Sequence, residues 1–178
     1  MNKIFKAGVT VGLMAGFFFL LLFITLFALD TSLTSSMYNV DLGLMAFFIF
    51  ITLIYFRDYL NFQEMKVTEG LLSGAIATLV SALFVVSSVY ILMTFISPES
   101  LPNDIQQSID GLMNKNEEGV YYYVTEYGQE AFDEQLKAFE TFTVSQLVTL
   151  KFILLSLVGF AFTLVFSIFL RKQYESEA

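Results

Sequence analysis

Residues 71–96 read LLSGAIATLVSALFVVSSVYILMTFI, a run of 26 residues with no charge, closed by Ser97-Pro98. An α-helix rises 1.5 Å per residue, and a bilayer core of roughly 30 Å needs about 20 mostly apolar residues to cross it. This stretch is therefore read as a membrane-spanning helix, and it sets the terms for the rest. Ala7–Leu29 is a second such run, bounded by Lys6 and Asp30. Leu147–Leu170 is a third, interrupted only by Lys151 and stopped by Arg171-Lys172. Between the first two lies a shorter candidate. Leu42–Phe56 is cleanly apolar, with Asp41 before it and Arg57-Asp58 after it. Extended back to Tyr38 it is long enough to span with Asp41 at the interface, against the competing reading of a re-entrant segment. The flanking charges sort consistently by side only if it crosses.

The expected fold is thus an all-α membrane protein. It is a four-helix transmembrane bundle, with spans at about 7–29, 38–56, 71–96 and 147–170 and an acidic, partly helical extracytoplasmic insertion at 97–146. Composition agrees: of 178 residues 56% are hydrophobic and 15% charged, with a mean hydropathy of +0.69. With no Cys and no His, there is no thiol nucleophile, imidazole base, disulfide or zinc ligand set. No cofactor or metal is expected, and a lipid anchor on cysteine is excluded. The N-terminal run is longer than a signal-peptide core and lacks a small-x-small cleavage site, so it is expected to be retained.

Lys3, Lys6, Arg57, Lys66, Arg171 and Lys172 fall on one side of this topology, and the positive-inside rule makes that side cytoplasmic. Both termini then face the cytoplasm of a bacterial inner membrane. Tyr38 and Tyr90 would mark the outer interface, and Tyr55, Tyr59 and Tyr174 the inner one.

Gly8, Gly12 and Gly16 form overlapping GxxxG repeats, and Gly70, Gly74, Thr78 and Ala82 form a second small-residue row with Ser73, Ala77 and Ser81 beside it. Small residues let helix backbones approach closely in lipid. The two rows are expected to pack on each other, with a homodimer seam or a second membrane protein as the alternative. Lys151 is read as snorkelling to the headgroups from near the outer end of its span. The sharper reading makes it a contact for an anionic headgroup. Arg57, Asp58 and Glu69 are the other candidates for headgroup or partner contact. Glu69 also suits a helix first turn, with Thr68 as its N-cap. An ion-coupled transporter needs acids deep in its spans, and none is read there.

The insertion holds ten of the acids (Glu99, Asp104, Asp110, Glu117, Glu118, Glu126, Glu130, Asp133, Glu134 and Glu140) against Lys115 and Lys137, which accounts for the net charge of −8. A short helix is expected from Asn103, with Ile105, Ile109 and Leu112 on one side. Val120–Tyr127, between Gly119 and Gly128, reads as extended or helical. A second amphipathic helix begins at Gln129, with Phe132, Leu136, Phe139 and Phe142 in register, and is expected to run straight into the last span. No Asp-x-Asp-x-Asp-Gly loop supports a calcium site. The Glu126/Glu130 and Glu130/Glu134 pairs are read as solvated charges rather than a catalytic acid and base.

Tyr55-Phe56-Arg57-Asp58, the step into Glu69-Gly70-Leu71-Leu72-Ser73-Gly74, the Ile96-Ser97-Pro98-Glu99 exit and the Arg171-Lys172 stop together resemble the bacterial membrane proteins grouped as domain of unknown function 4199, found mainly in the Bacteroidota. The likeness covers almost the whole chain. Where that family more usually has a glycine-containing connection after the Arg-Asp step, Asn61-Phe62-Gln63 stands here. The resemblance implies a four-span inner-membrane protein and brings no catalytic residues. The expected function is a non-enzymatic accessory or scaffold protein that associates with a membrane-protein partner, an envelope component or a second copy, among membrane lipids and without nucleic acid. The alternative, through the family's association with polyprenyl-phosphate glycosyltransferase loci, is handling of a lipid-linked intermediate.

Overall fold

A computed structural model describes residues 2–28, 37–114 and 121–171. The side chain of Tyr38, and Leu29, Asp30, Lys115, Glu117, Glu118, Gly119, Val120, Lys172 and Tyr174, named above, lie outside the described residues. The described chain is helical: α1 (Lys3–Ala28), α2 (Met37–Ile54), α3 (Val67–Ile91), α4 (Ser100–Leu112), α5 (Tyr122–Tyr127), α6 (Gln129–Glu140) and α7 (Val144–Phe169). A π-helical turn, Tyr55–Leu60, continues α2, and another, Leu92–Ile96, continues α3. Four helices are long and apolar enough to cross a membrane: Lys3–Leu26, Val40–Leu60, Val67–Ile96 and Val144–Phe169.

Local chemistry explains the boundaries. α3 begins where the Glu69 carboxylate accepts the Lys66 backbone N–H at 2.9 Å, so its N-cap is Lys66 and Thr68 is already helical. The Arg57-Asp58 step does not end the second span, because the π turn carries it to Leu60. The chain then reverses through Phe62 and Gln63, at φ 54° and 68°. These are left-handed conformations that glycine adopts freely and other residues adopt at a cost. α4 starts at Ser100, three residues before the expected Asn103, and Pro102 sits in its first turn, where a missing N–H removes no helical bond. Val120–Tyr127 resolves as helix from Tyr122.

α6 does not run into the last span. Thr143 Oγ1 accepts the Gln146 N–H at 3.3 Å, while Gln146 Oε1 accepts the Thr143 N–H at 2.8 Å. This Thr-x-x-Gln capping box starts α7 afresh at Val144 without any Pro or Gly.

α1 and α3 run parallel: a Cβ on Gly8 would strike Ile76, one on Gly12 Val80, and one on Gly16 Phe84, all within 3 Å. Ser81 Oγ, bonded to Ala77 O at 2.7 Å, also reaches Gly12 O at 3.2 Å across this seam. The expected packing of the two rows holds in part: the Ser73, Ala77 and Ser81 side of the second row meets the α1 glycines, whereas its glycines do not. Gly70 and Gly74 instead receive Ser167 and Thr163 of antiparallel α7, and Gly159 of α7 receives Thr78. α3 is therefore glycine-packed on both sides, because its rows lie on different faces of one helix. α2 completes the bundle against α7 and α1, through Phe50–Phe166 at 5.4 Å and Phe19–Phe48 at 6.2 Å. The core is continuous from Met65 and Phe56, at the end where α1 starts and α7 stops, to Phe23, Met93 and Leu101 at the other end. There Leu101 and Ile105 of α4, with Phe142, close the bundle as a cap.

Candidate functional site

The sequence offers few polar groups inside the apolar helices, so where they go is informative. Asp41 stands in the second turn of α2, at the start of its apolar span, and is 2% exposed. Lys151 stands seven residues into α7, about 10 Å from its start. The two side chains form an ion pair, Nζ to Oδ2 at 2.5 Å, with 14% of the lysine and 3% of the aspartate side chain exposed. The ammonium also lies 5.7 Å from the centroid of the Phe23 ring on α1, within cation–π range. Asp41 Oδ1 is buried with no hydrogen-bond partner among the described residues. Three helices thus converge on one charge pair at the cap half of the bundle.

One expectation changes here. Lys151 does not snorkel: its ammonium is directed at a carboxylate on the neighbouring helix. Asp41 is an acid buried within the bundle, at the start of the second span rather than near its middle. Snorkelling was a sound inference for a lone lysine, but an opposite charge at matching depth on the adjacent helix offers it a shorter route to neutralisation. That matched depth, measured from the cap-end loops, is the signal through which the pair was legible.

The other candidates gather at the opposite end and do not join Lys151. Arg57 holds its neighbour Asp58 through Nε at 2.6 Å and Nη2 at 3.1 Å, and Nη1 reaches Leu170 O at 3.5 Å. The guanidinium thereby covers a carbonyl at the C-terminus of α7, where a cation is favoured. Glu69 is engaged in its capping contact. Lys3 reaches Asn61 Oδ1 at 3.5 Å and lies 4.8 Å from the ring centroid of Phe62, which is 82% exposed.

A row absent from the sequence reading is Gly159, Thr163 and Ser167 on α7. The hydroxyls of Thr78, Thr163 and Ser167, with that of Ser156, are buried without hydrogen-bond partners among the described residues. The first three lie against the glycines that receive them, where Cα–H groups are the weak donors at hand.

Two further features complete the surface. A groove of about 610 Å³ runs between α1 and α3 in the cap half, lined by Leu20, Ile24, Leu83, Ser87, Ile91 and Ile96 among others, and is partly open to the side. In the cap, Tyr121 stacks on Phe132 at 5.1 Å, and Tyr123 lies 4.7 Å from Tyr127. The Glu126 carboxylate raises the pKa of the exposed Tyr127 phenol. Among the described residues, no group of three or more acids is placed to hold a metal ion.

The family model described as "Protein of unknown function (DUF4199)" matches residues 6–172, nearly the whole chain, and the protein belongs to that family. No curated protein and no solved structure matches the chain.

Proposed function

We propose that this member of a family of unknown function is a non-catalytic accessory or scaffold protein of a bacterial inner membrane, and that it associates laterally with another membrane or envelope component. The observation that carries this reading is the disposition of the packing surfaces. Both glycine rows are used up inside the bundle, on α1–α3 and α3–α7, and the cap closes one end with apolar side chains. A bundle so closed suits a rigid body better than a passage. What is left for recognition is its lateral surface, the aromatic and acidic cap, and the basic end bearing Lys3, Lys6, Arg57, Lys66 and Arg171. By the positive-inside rule the basic end would face the cytoplasm and the cap the outside. The test is purification of the tagged full chain in mild detergent, followed by mass spectrometry of the intact assembly. A discrete complex with a second protein is expected. A chain that runs alone, as a monomer with no partner, overturns the reading.

The groove favours a second reading, handling of a lipid-linked intermediate. Its lining is almost wholly apolar and it opens sideways, so an isoprenoid or acyl chain could lie in it. Native mass spectrometry distinguishes the two. A stoichiometric polyprenyl-phosphate adduct lost on Leu83→Trp supports lipid handling, and bulk phospholipid alone opposes it.

A further inference from the structure

We propose that Asp41 and Lys151 form a proton-binding site, and that proton uptake by Asp41 releases Lys151 from the bundle and loosens α2 from α7 at the cap end. The inference starts from cost. A charge pair within an apolar bundle is weak evidence of stability, since desolvation offsets most of its attraction and apolar residues of similar volume hold helices as well. Here the cost is larger than usual, because Asp41 Oδ1 has no hydrogen-bond partner among the described residues. Ionisable side chains in membrane helices mark proton and ion sites by default.

Among the described residues, the side chains that make up this core are uncharged. α1 presents Phe19 and Phe23 to this core, α3 presents Val89, Leu92 and Met93, and the cap presents Leu101, Ile105 and Phe142. None of these titrates. Tyr90 and Glu99 are exposed and Asp104 is half-buried. The ionisable group that acts on Asp41 is Lys151. Proton balance is simple: the carboxylate becomes a carboxylic acid, no bond other than O–H is made, and the ammonium keeps its charge. Among the described residues it then has no anion beside it, in apolar surroundings that solvate it poorly.

The fold gives that ammonium somewhere to go. Side chains on a helix lean toward its N-terminus, which for α7 is the cap end. From about 10 Å inside α7, a lysine stem can reach most of the way to the headgroups. The paired and snorkelled positions of Lys151 are then two states of one switch, selected by the proton on Asp41. At the same end of the bundle, α3 leaves regular geometry in the π-helical turn Leu92–Ile96, whose Leu92 and Met93 belong to the buried core. Such turns recur at functional sites and allow a helix end to shift.

The chain has no cysteine, so spin labels on Val40→Cys and Leu150→Cys, both exposed positions on α2 and α7, read the separation directly. Distance distributions of the full chain in nanodiscs are compared between about pH 8 and pH 5, a range chosen to bracket carboxylate protonation in a buried site. In the unsubstituted background a wider population is expected to rise roughly tenfold at the lower pH, as for a two-state shift of about 1.4 kcal/mol. Asp41→Asn should show it at both pH values. Asp41→Leu with Lys151→Met should stay narrow at both. A distribution that ignores pH overturns the proposal, and so does a pH response that persists in the double variant. If Asp41→Asn does not fold, the other two proteins still decide.

Discussion

The two faces that α7 presents are built on opposite principles. Toward α3 it offers Gly159, Thr163 and Ser167, which interlock with Thr78, Gly74 and Gly70 at near-backbone distance. Toward α2 it offers a lysine to an aspartate and Phe166 to Phe50. The first seam draws its strength from contact area between backbones, has no net charge and is indifferent to pH. The second is held by one charge pair together with contact between large side chains. The lesson is that a bundle can have a permanent seam and a conditional one on the same helix.

The sharpest way to break the comparison is to remove one charge. Lys151→Ala leaves Asp41 unpaired in an apolar core and is expected to cost about 3–5 kcal/mol, whereas Asp41→Ala, after which Lys151 can swing to the headgroups, should cost less. Replacing both, Asp41→Leu with Lys151→Met, is expected to equal or exceed the unsubstituted stability. Denaturation in mixed detergent micelles measures all three. If the double variant is as weak as the single ones, the α2 seam depends on the pair for stability and is not conditional.

The permanent seam is tested by adding bulk. Gly74→Leu and Gly159→Leu drive side chains into Thr163 and Thr78, with an expected loss of about 3 kcal/mol in the same measurement. Gly43 on α2 has nothing within 4 Å of an added Cβ. Gly43→Ala should therefore be neutral or gain up to about 1 kcal/mol from helix propensity. Equal losses at Gly43 and Gly74 would mean that the seam is not what the glycines serve.

Much of this was legible in the sequence, and the gaps have physical causes. Run length and flanking charge gave all four spans, because hydropathy over 20 residues is a signal that tertiary context seldom reverses. The glycine rows were legible as packing faces, but their partners were not. Periodicity tells that Gly70 and Ile76 face different ways and not which neighbour stands on either side. The α7 row was missed because Thr163 and Ser167 look polar in a list and small only in a groove. Lys151 was visible as an intruding charge. Its pairing needs a second charge at the same depth, and Asp41, at the edge of its apolar run, carries no sign in the sequence of which helix it faces. The break before α7 was written in Thr143-x-x-Gln146, which a search for Pro and Gly overlooks.

That capping box supplies a smaller effect. Thr143→Ala removes the oxygen that accepts the Gln146 N–H and should cost about 1 kcal/mol. The cost should fall at the cap end of α7, close to the conditional seam, so hydrogen exchange of amides in 144–150 should quicken while that of 159–167 stays slow. Faster exchange throughout α7 would mean that the two ends of the helix are not separable, and the contrast between its seams would weaken.

The smallest expected effect concerns the turn that returns α2 to α3. Phe62 and Gln63 both hold positive φ, which an L-residue adopts at a cost of roughly 1–2 kcal/mol. The backbone is bound there by Gln63 N–H to Arg57 O at 2.8 Å and by Asn61 Nδ2 to Glu64 O at 3.0 Å. Gln63→Gly removes the steric part and adds chain entropy to the unfolded state, so the net gain should be about 0.5–1 kcal/mol. Gln63→Val should lose at least as much, because a β-branched residue fits the left-handed region worst. Phe62 is a different case. Its ring lies near Lys3 and is almost wholly exposed, so Phe62→Gly relieves strain but gives up a contact to the N-terminus of α1. The prediction is therefore asymmetric: Gly at 63 stabilises, and Gly at 62 stabilises less or not at all. Equal gains at both would assign the strain to the turn alone. A loss confined to position 62 would make the Phe62 ring a working link between the α2–α3 connection and α1, on the side of the bundle where glycine packing does not reach.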